Sequence, residues 1–379
     1  GGDQKSRHGI VLAKSVPAKK YGIRTGEPVA NAFRKCPNLH MEAPDHEMYH
    51  KHSRELMAFL RSYTPDIEQV SVDECYMDFT GISGRFASPV EAAFEIKDEV
   101  KKRFGFTVNI GISDVKVLAK MASDFEKPDR VHTLFRKEIQ EKMWPLPISD
   151  LFMAGHSSVE TLRKLEIQTI GDLAKADPKL IELHLKSHGR RLWEFANGMD
   201  DSIVESEKAE AKGVGNSTTL SKDVSTKEDA QKVLLSLAQS VGGRLRKHRY
   251  HAGVVNVEIK YADFTVNSHQ KQLERMTASD QVIYQTAVEL FCEMWNGKPI
   301  RLLGIRTSKL SQEGEPQQLS LFDLNFHSSD NISEEVKSFE NSQKHEKLDQ
   351  ALDVIRKKFG KDAVVRASFL KKPEKEEKM

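Results

Sequence analysis

The stretch that most constrains the fold is 71–81, SVDECYMDFTG, where two adjacent carboxylates interrupt a strand-like run. Asp73 and Glu74 have β-branched or aromatic residues on both sides, and Gly81 ends the run. Aspartate is disfavoured inside strands, and an unpaired carboxylate is costly to bury. The pair therefore indicates either a hairpin turn, which aspartate favours, or a metal site. The residues alone leave both interpretations open.

The following residues predict the setting of this pair. A helix is expected over 89–104, with apolar residues near one face at Val90, Phe94, Val100 and Phe104. A strand over 107–113 and a second helix over 115–124 come next. The order of hairpin, helix, strand and helix predicts an α+β layer with helices on one face of a sheet. Acids at the tip of such a hairpin would face open space and could hold hard cations.

The sequence at this point resembles a known family. SVDECYMDFTG resembles the S-[IV]-D-E-[AC]-[YF] motif of the Y family of translesion DNA polymerases. Residues 107–129, TVNIGISDVKVLAKMASDFEKPD, resemble the stretch that follows this motif, and the likeness runs from about residue 9 to 308. It implies an α+β polymerase right hand with fingers, palm and helical thumb, plus a βαββαβ little-finger domain.

The resemblance also implies a reaction. The family transfers a nucleotide from a deoxynucleoside triphosphate to a primer 3′ hydroxyl, in error-tolerant synthesis across damaged templates. Two Mg²⁺ ions would align the reacting groups. Asp73 and Glu74 match the catalytic metal ligands, whereas Asp78 is expected to be structural. Primer–template DNA and deoxynucleoside triphosphates are the implied partners.

The resemblance further implies a division into domains. These are fingers, palm, thumb with a helix-hairpin-helix element, linker, little finger, and a tail with a clamp-binding peptide and a C-terminal helix. The expected bounds, in that order, are 1–45, 46–133, 134–201, 202–214, 215–310 and 311–379. In the tail, residues 346–370 read as an amphipathic helix followed by VVRASFL.

Hydropathy and cysteine spacing argue against a membrane protein, a secreted protein and a zinc-binding protein. No run of 18 apolar residues exists, which excludes a membrane-spanning segment at the level of sequence, and no signal-peptide pattern opens the chain. The three cysteines are far apart and form no CxxC pair, so neither a zinc site nor a disulfide framework is indicated. We expect a cytoplasmic protein that acts as a monomer.

Two lysines match family positions that hold the incoming triphosphate. Lys19 stands in the fingers segment where arginine is commoner, and Val16 stands where tyrosine is commoner. Lys127 follows a predicted helix and precedes a proline. Lysine neutralises a phosphate but lacks the arginine fork. The alternatives are a solvated lysine pair at a helix start for Lys19 and a lysine that complements a helix dipole for Lys127.

The thumb resembles a helix-hairpin-helix element, which holds DNA through backbone N–H groups at a helix start. Gly155 and Ser157 are the candidate DNA-binding residues. The pattern departs from the family at Met153 and Glu166, where glycine is common. A charged thumb surface with weaker DNA contact is the competing interpretation.

The basic residues of the little finger are the other DNA-binding candidates. Residues 213–310 hold fourteen lysines and arginines against nine acidic residues, as expected of a phosphate-binding module. Ordinary surface variation would also allow this excess. We expect Arg301 and Arg306 to share a face of the last strand if that strand is regular. A second group clusters at the end of a predicted helix: Arg244, Arg246, Lys247 and Arg249.

A short apolar run in the acidic tail resembles the peptide by which bacterial polymerases bind the sliding clamp. The run is QLSLF, residues 318–322. Gln318 would supply amide hydrogen bonds, while Leu319, Leu321 and Phe322 would fill an apolar groove. The alternative is a strand packed on the preceding domain.

The start of the sequence motivates a second class of function. The chain opens at Gly1 in what reads as the end of a strand. In the family, an earlier strand supplies another metal-binding aspartate and the aromatic residue that excludes ribonucleotides. We therefore expect a truncated chain that extends primers poorly, and a non-catalytic DNA- and clamp-binding fragment is the alternative function. A different palm-like enzyme, such as a nucleotide cyclase, is a weaker option that the basic segment and QLSLF argue against.

Overall fold

Residues 1–2, 9–207, 210–312, 332–360 and 363–364 are described in the computed structural model of the chain. They form two units, one made of residues 1–44 and 210–379 and the other of residues 45–209. Helices and strands are mixed in the larger part of the chain, which confirms the predicted α+β class. No helix in the described ranges is long and apolar enough to cross a membrane.

The 45–209 unit begins with short strands and helices and ends with helices alone. Its strands are β1 (Ile67–Gln69), β2 (Cys75–Met77), β3 (Ile110–Ile112) and β4 (Val131–Thr133). Its helices are α3 (His46–Leu60), α4 (Pro89–Phe104), α5 (Lys116–Asp124), α6 (Ile139–Lys142), α7 (His156–Lys164), α8 (Ile170–Lys175) and α9 (Pro178–Ala196). β1 and β2 form an antiparallel hairpin, and β3 pairs with β4 in parallel.

Helix α4 has the predicted bounds, but it buries a different face. Ser88 caps its first turn through the backbone N–H of Glu91, and Gly105 ends it in the left-handed conformation with φ of 76°. The buried face is lined by Ala92, Ala93, Ile96 and Val100. Val90 and Phe94 are exposed, so the predicted apolar face is wrong for these two residues.

Helix α5 packs very closely on β3, and a glycine makes this possible. A Cβ at Gly111 would lie 2.0 Å from the carbonyl oxygen of Ala119. The other side of α5 buries Leu118 and Met121 in a core that it shares with Leu162 of α7 and Leu192 of α9. This core crosses the boundary predicted at residue 133 between palm and thumb.

The first residues of the predicted linker are bound to the hairpin unit. The Lys116 ammonium donates to Glu68 at 2.6 Å and to the carbonyl oxygen of Ile203 at 2.7 Å. The backbone N–H of Glu205 donates to the same carboxylate of Glu68 at 2.8 Å. Residues 203–205 are therefore held against β1 and α5.

The other unit contains two short helices and the predicted βαββαβ pattern. The helices are α1 (Val16–Lys20) and α2 (Val29–Lys35). The second part comprises β5 (Gly213–Val224), α10 (Lys227–Lys247), β6 (Tyr250–Tyr261), β7 (Val266–Thr277), α11 (Asp280–Met294) and β8 (Ile300–Gln312). The strands form one antiparallel sheet in the order β5-β8-β6-β7, and α10 and α11 pack on one face of it.

The last helix, α12 (Ile332–Phe359), packs against α10 and α11 and is thus part of the same unit. Its Glu346 carboxylate accepts from the Thr277 hydroxyl at 3.0 Å and from the Ala278 N–H at 3.2 Å. Its Asp349 carboxylate accepts from the Asp280 N–H at 2.9 Å. These carboxylates take the place of a side-chain N-cap on α11. The helix that the sequence placed in the tail from residue 346 therefore begins earlier and completes the sheet unit.

The buried contact between α12 and the sheet unit is charged. Arg246 at the end of α10 bonds to Asp280 at 2.8 Å and to Asp353 at 2.7 Å, and lies 3.6 Å from Asp349. Its side chain is 6% exposed. Burial, with help from Asp349 and Asp353, raises the pKa of Asp280 to about 6 in spite of the arginine.

We expect the stability of this unit to fall as the pH rises from about 4 to about 6. Folding raises the pKa of Asp280 from 3.8 to about 6, so the folded state holds the proton more tightly than the unfolded state over this range. The contribution is complete below pH 4, is lost above pH 6, and is at most about 3 kcal/mol. Urea denaturation at several pH values would measure it. A similar pH slope in Asp280→Asn would contradict the assignment.

Candidate functional site

The predicted carboxylate pair lies in the loop between β1 and β2, and both side chains are exposed. Ser71 shapes this loop. Its hydroxyl donates to the Asp73 carboxylate at 2.6 Å and accepts from the backbone N–H groups of Asp73 and Glu74 at 3.3 and 3.0 Å. The two residues thus lie in a hairpin turn, and their exposed carboxylate oxygens are available as metal ligands.

Two lysines connect this loop to α5 and to the residues that follow it. The Lys120 ammonium bonds to Glu74 at 2.8 Å and to Asp124 at 3.2 Å. Lys127 bonds to Asp124 at 2.6 Å. The result is a row of alternating charges in the order Glu74, Lys120, Asp124, Lys127. The structure therefore brings three predicted residues, Asp73, Glu74 and Lys127, into one region.

Each inner member of this row is held in its charged form by its neighbours. Burial lowers the pKa of Lys120, but the hydrogen bond that it donates to Glu74 and the charge of Asp124 outweigh this effect and raise the pKa overall. Burial raises the pKa of Asp124, and the bonds from Lys127 and Lys120 outweigh it in the other direction. Lys120 and Asp124 are therefore both ionised at neutral pH.

Sequence reasoning missed three residues of this region: Ser71, Lys120 and Asp124. The spacing of four between Lys120 and Asp124 predicts that they pair on a helix. Their link to Glu74, which is 46 residues before Lys120, has no local signal in the sequence.

The carboxylate oxygens of Asp73 and Glu74 suit a hard cation. Carboxylate oxygens are the ligands that Mg²⁺ prefers, and Mg²⁺ commonly keeps several waters and binds substrate phosphates. Within the described residues, no group of three or more His, Cys, Asp and Glu side chains is placed to hold a metal ion. Asp73 and Glu74 therefore suit a divalent cation that takes its other ligands from water and substrate, and among the described residues they are not part of an all-protein cage.

Lys19 lies in the other unit, on α1. Ser15 caps this helix by accepting from the Ala18 N–H at 3.3 Å, and Lys19 is in its last turn with an exposed side chain. Val16 is exposed at the start of the same helix. The Lys19 ammonium is therefore available to an anion.

The thumb candidates lie at the start of α7. Gly155 is the N-cap residue with open space in front of it, and Ser157 is in the exposed first turn. Met153 and Glu166 have φ of 66° and 63°, in the left-handed region where glycine is favoured. At both positions where the chain departs from the family pattern, the backbone therefore has the left-handed conformation that glycine favours. One position precedes α7 and the other follows it.

Within the described residues of this unit, helices pack on only one face of the sheet, and we call the other face the open face. Val255, Val257 and Ile259 of β6 point into the core with α10 and α11, so the alternating residues Asn256 and Lys260 point the other way. Arg306 of β8 pairs with Asn256 and with Gly215 of β5, and it is exposed on this open face.

Arg301 reaches the same open face through an irregularity of β8. A spacing of five would place Arg301 and Arg306 on opposite faces of a regular strand. The pairing with β6 shifts register next to Arg301, between Lys260 and Tyr261. The Arg301 guanidinium lies 4.6 Å from the Phe264 ring, and the Lys260 ammonium lies 5.1 Å from the same ring. The shared face is thus due to a bulge and not to a regular strand.

The cationic group at the end of α10 lies in the helix layer. Arg244, Lys247 and Arg249 are exposed there, and Arg244 donates to the carbonyl oxygen of Gly215 on the edge strand β5. Arg246 is buried and bonded to carboxylates, which contradicts the prediction that it contacts DNA. This burial has no local signal in the sequence, because two of the partners, Asp349 and Asp353, are more than a hundred residues further along the chain.

The candidate clamp-binding residues Gln318, Leu319, Leu321 and Phe322 lie outside the described residues.

Two family models match the chain. Residues 2–124 match the impB/mucB/samB family, and residues 211–321 match the C-terminal domain of that family. A DNA polymerase IV of Clostridium acetobutylicum is 44% identical over 99% of this chain and 90% of its own length. DNA polymerase IV 1 of Bacillus subtilis is 35% identical over the whole chain and 88% of its own length.

Solved structures show the same fold. A Y-family DNA polymerase chimera of Dbh and Dpo4 superposes with a TM-score of 0.73 at 22% identity, over 82% of this chain and 91% of the chimera. Taken together with the near-complete alignment to its curated relatives, this shows that the chain belongs to the impB/mucB/samB family, the Y-family DNA polymerases that include the proteins named DNA polymerase IV.

Proposed function

We propose that the chain catalyses template-directed transfer of nucleotides from deoxynucleoside triphosphates to a primer 3′ hydroxyl, including synthesis across damaged templates. The observation that carries the proposal is the hairpin loop with Asp73 and Glu74 beside Lys120 and Lys127. Carboxylates and ammonium groups in one region suit a metal-bound triphosphate, which needs both cation ligands and phosphate contacts. The names of the curated relatives agree with this chemistry.

Asp73 and Glu74 would hold the divalent metal, which we propose to be two Mg²⁺ ions. When bound, these ions would align the hydroxyl with the triphosphate and stabilise the charge that develops on the oxygens. Lys127 would neutralise phosphate oxygens beside this site, and Lys19 is proposed to do the same from α1. Ser71 holds the Asp73 carboxylate in place by a hydrogen bond, and Lys120 does the same for the Glu74 carboxylate.

The test is primer extension by the protein with Mg²⁺ and all four deoxynucleoside triphosphates. Undamaged templates and templates with a single abasic position should be compared. In contrast to the poor extension expected from the sequence, we expect extension on both templates, because the loop with Asp73 and Glu74 lies beside Lys120 and Lys127. The loss at the damaged position should be smaller than a high-fidelity polymerase shows. No extension on either template would contradict the proposed function. Chelation by EDTA should stop the reaction, and Mg²⁺ in excess of the chelator should restore it.

We propose that DNA lies along the open face of the sheet and at the start of α7. Arg301, Arg306 and Lys260 provide the positive charge on the sheet, and Gly155 with Ser157 provides backbone N–H groups on the helix. The exposed Arg244, Lys247 and Arg249 remain candidate phosphate contacts from the helix layer. The division into fingers, palm, thumb, linker and little finger belongs to the same proposal, as does a monomeric state.

Replacement of Arg301 and Arg306 by alanine should flatten the salt dependence of DNA binding. Each phosphate contact contributes about 0.9 to the slope of log K against log salt, so the slope should fall by about 2. Fluorescence anisotropy with a labelled primer–template at several salt concentrations would measure it. The matched control replaces Arg244 and Lys247. If the control flattened the slope by about 2 and the sheet variant left it unchanged, the phosphate contacts would lie in the helix layer.

The sliding clamp is the proposed protein partner, through Gln318, Leu319, Leu321 and Phe322. Leu321→Ala with Phe322→Ala should remove clamp binding, because two buried apolar side chains contribute roughly 3–6 kcal/mol. Extension of short primers without clamp should not change. The matched control is Leu324→Ala with Phe326→Ala, which removes the same side chains just outside the QLSLF run. Clamp affinity that is equal in the two variants would contradict the assignment.

A further inference from the structure

Asp124 is the last residue of α5 and lies between the two lysines of the candidate site. Its two carboxylate oxygens are divided between them, with Oδ1 at 2.6 Å from Lys127 and Oδ2 at 3.2 Å from Lys120. Among the described residues, Asp124 is the one carboxylate within ion-pair distance of Lys127. Lys120 in turn reaches Glu74 at 2.8 Å.

We propose that Asp124 is a positioning residue, which holds Lys127 for the triphosphate and ties it through Lys120 to the metal-binding loop. The inference rests on the proposed function of Asp73, Glu74 and Lys127. Asp124 itself would touch neither the metal nor the nucleotide. Its part is to fix one lysine directly and to share a second lysine with Glu74.

The need for such an anchor follows from the lysine side chain. Lysine has a flexible four-carbon stem, and half of the Lys127 side chain is exposed, so an unanchored ammonium would sample many positions. An ammonium has three donors. Lys127 can therefore keep its bond to Asp124 and still donate to a phosphate oxygen, so that the nucleotide does not need to order the side chain when it binds.

The position of Asp124 is itself well fixed. It ends a helix whose other side is buried through Leu118 and Met121, and Gly111 allows that helix to lie directly on β3. A carboxylate on this rigid helix end defines where Lys127 lies in the loop after it. Glu74 lies on a hairpin loop, and Lys120 relates the position of that loop to the same helix.

The test compares the affinity for a correct deoxynucleoside triphosphate in Asp124→Asn and in the parent protein. A primer that ends in a dideoxynucleotide allows binding without chemistry, and a fluorescent template base reports it. Asparagine keeps the shape and removes the charge, and we expect nucleotide affinity to fall roughly three- to tenfold, a loss of the size of one ordinary hydrogen bond. DNA affinity and the melting temperature should not change, and Asp124→Glu should restore part of the nucleotide affinity.

The matched control is Glu126→Gln. Glu126 carries the same charge two residues later and pairs with Arg130 at 3.2 Å, outside the row. A double-mutant cycle makes the test specific, because residues that act through one another are not additive. In a Lys127→Gln background, Asp124→Asn should lower nucleotide affinity by a much smaller factor than it does in the parent protein.

The outcomes separate the inference from the proposed function. Unchanged nucleotide affinity in Asp124→Asn, with a clear loss in Lys127→Gln, would overturn the role of Asp124 and leave the site intact. Tighter nucleotide binding in Asp124→Asn would also overturn it, because Asp124 would then compete with the triphosphate for Lys127. Absence of nucleotide binding in the parent protein would instead contradict the proposed function.

Discussion

Replacement of Glu74 by glutamine should reduce primer extension on the order of a thousandfold, while the affinity for primer–template DNA stays near that of the parent protein. The carboxylate is proposed to hold the metal that stabilises charge in the transition state, and the amide lacks the charge to do so. Glu74 is exposed, and its side chain bonds to Lys120 alone among the described residues, so its loss has little structural consequence. Asp73→Asn should behave in the same way, since Ser71 can still donate to the amide oxygen.

The measurement is single-turnover extension with saturating nucleotide, together with DNA binding by anisotropy. Glu99→Gln is the control, because it removes the same charge from the same unit, where Glu99 pairs with Lys102 and Arg103 on α4. The control should extend primers at the parental rate. Extension by Glu74→Gln within threefold of the parent would show that this carboxylate is not a metal ligand, and the site would then have to be sought elsewhere.

The centre of this site could be predicted from the sequence because its main residues are neighbours in the chain. Two adjacent carboxylates in a strand-like run already indicate a hairpin or a cation site, and in the structure the loop is a hairpin that presents both oxygens. The nearby Asp78 shows why adjacency matters. Its carboxylate accepts from the Thr80 N–H at 2.8 Å and caps the turn after β2, as a lone acid in a turn is expected to do.

The contacts that join distant parts of the chain could not be predicted. Lys120 reads as a helix-surface residue, and only the packing of α5 on β3 brings it to Glu74. In α4, Val90 and Phe94 lie outside the buried face, which is formed by Ala92, Ala93, Ile96 and Val100. Arg246 has the local pattern of a phosphate-binding arginine, in a basic run at a helix end. Two of its partners, Asp349 and Asp353, come from α12, more than a hundred residues further along the chain.

Arg246→Met should lower the free energy of unfolding of the sheet unit by about 3–5 kcal/mol, the range for removal of one partner from a buried ion pair. The variant leaves Asp280 and Asp349 buried, with side chains only 1% and 2% exposed, and without the guanidinium that compensates their charge. Methionine keeps much of the volume of the arginine side chain. The loss of free energy of unfolding would therefore reflect charge and hydrogen bonding more than packing.

Urea denaturation of the protein, followed by the fluorescence of Trp295 in this unit, would measure the change. Arg244→Met is the matched control, since Arg244 is an exposed arginine two positions before Arg246 on the same helix. Its replacement should change stability by less than about 0.5 kcal/mol. Protonation of Asp280 removes part of the uncompensated charge, so the destabilisation by Arg246→Met should be smaller at pH 5 than at pH 8. A loss below 1 kcal/mol at pH 8 would show that the acids of α12 and α11 do not depend on Arg246, and that α12 is held to the sheet unit by its other contacts.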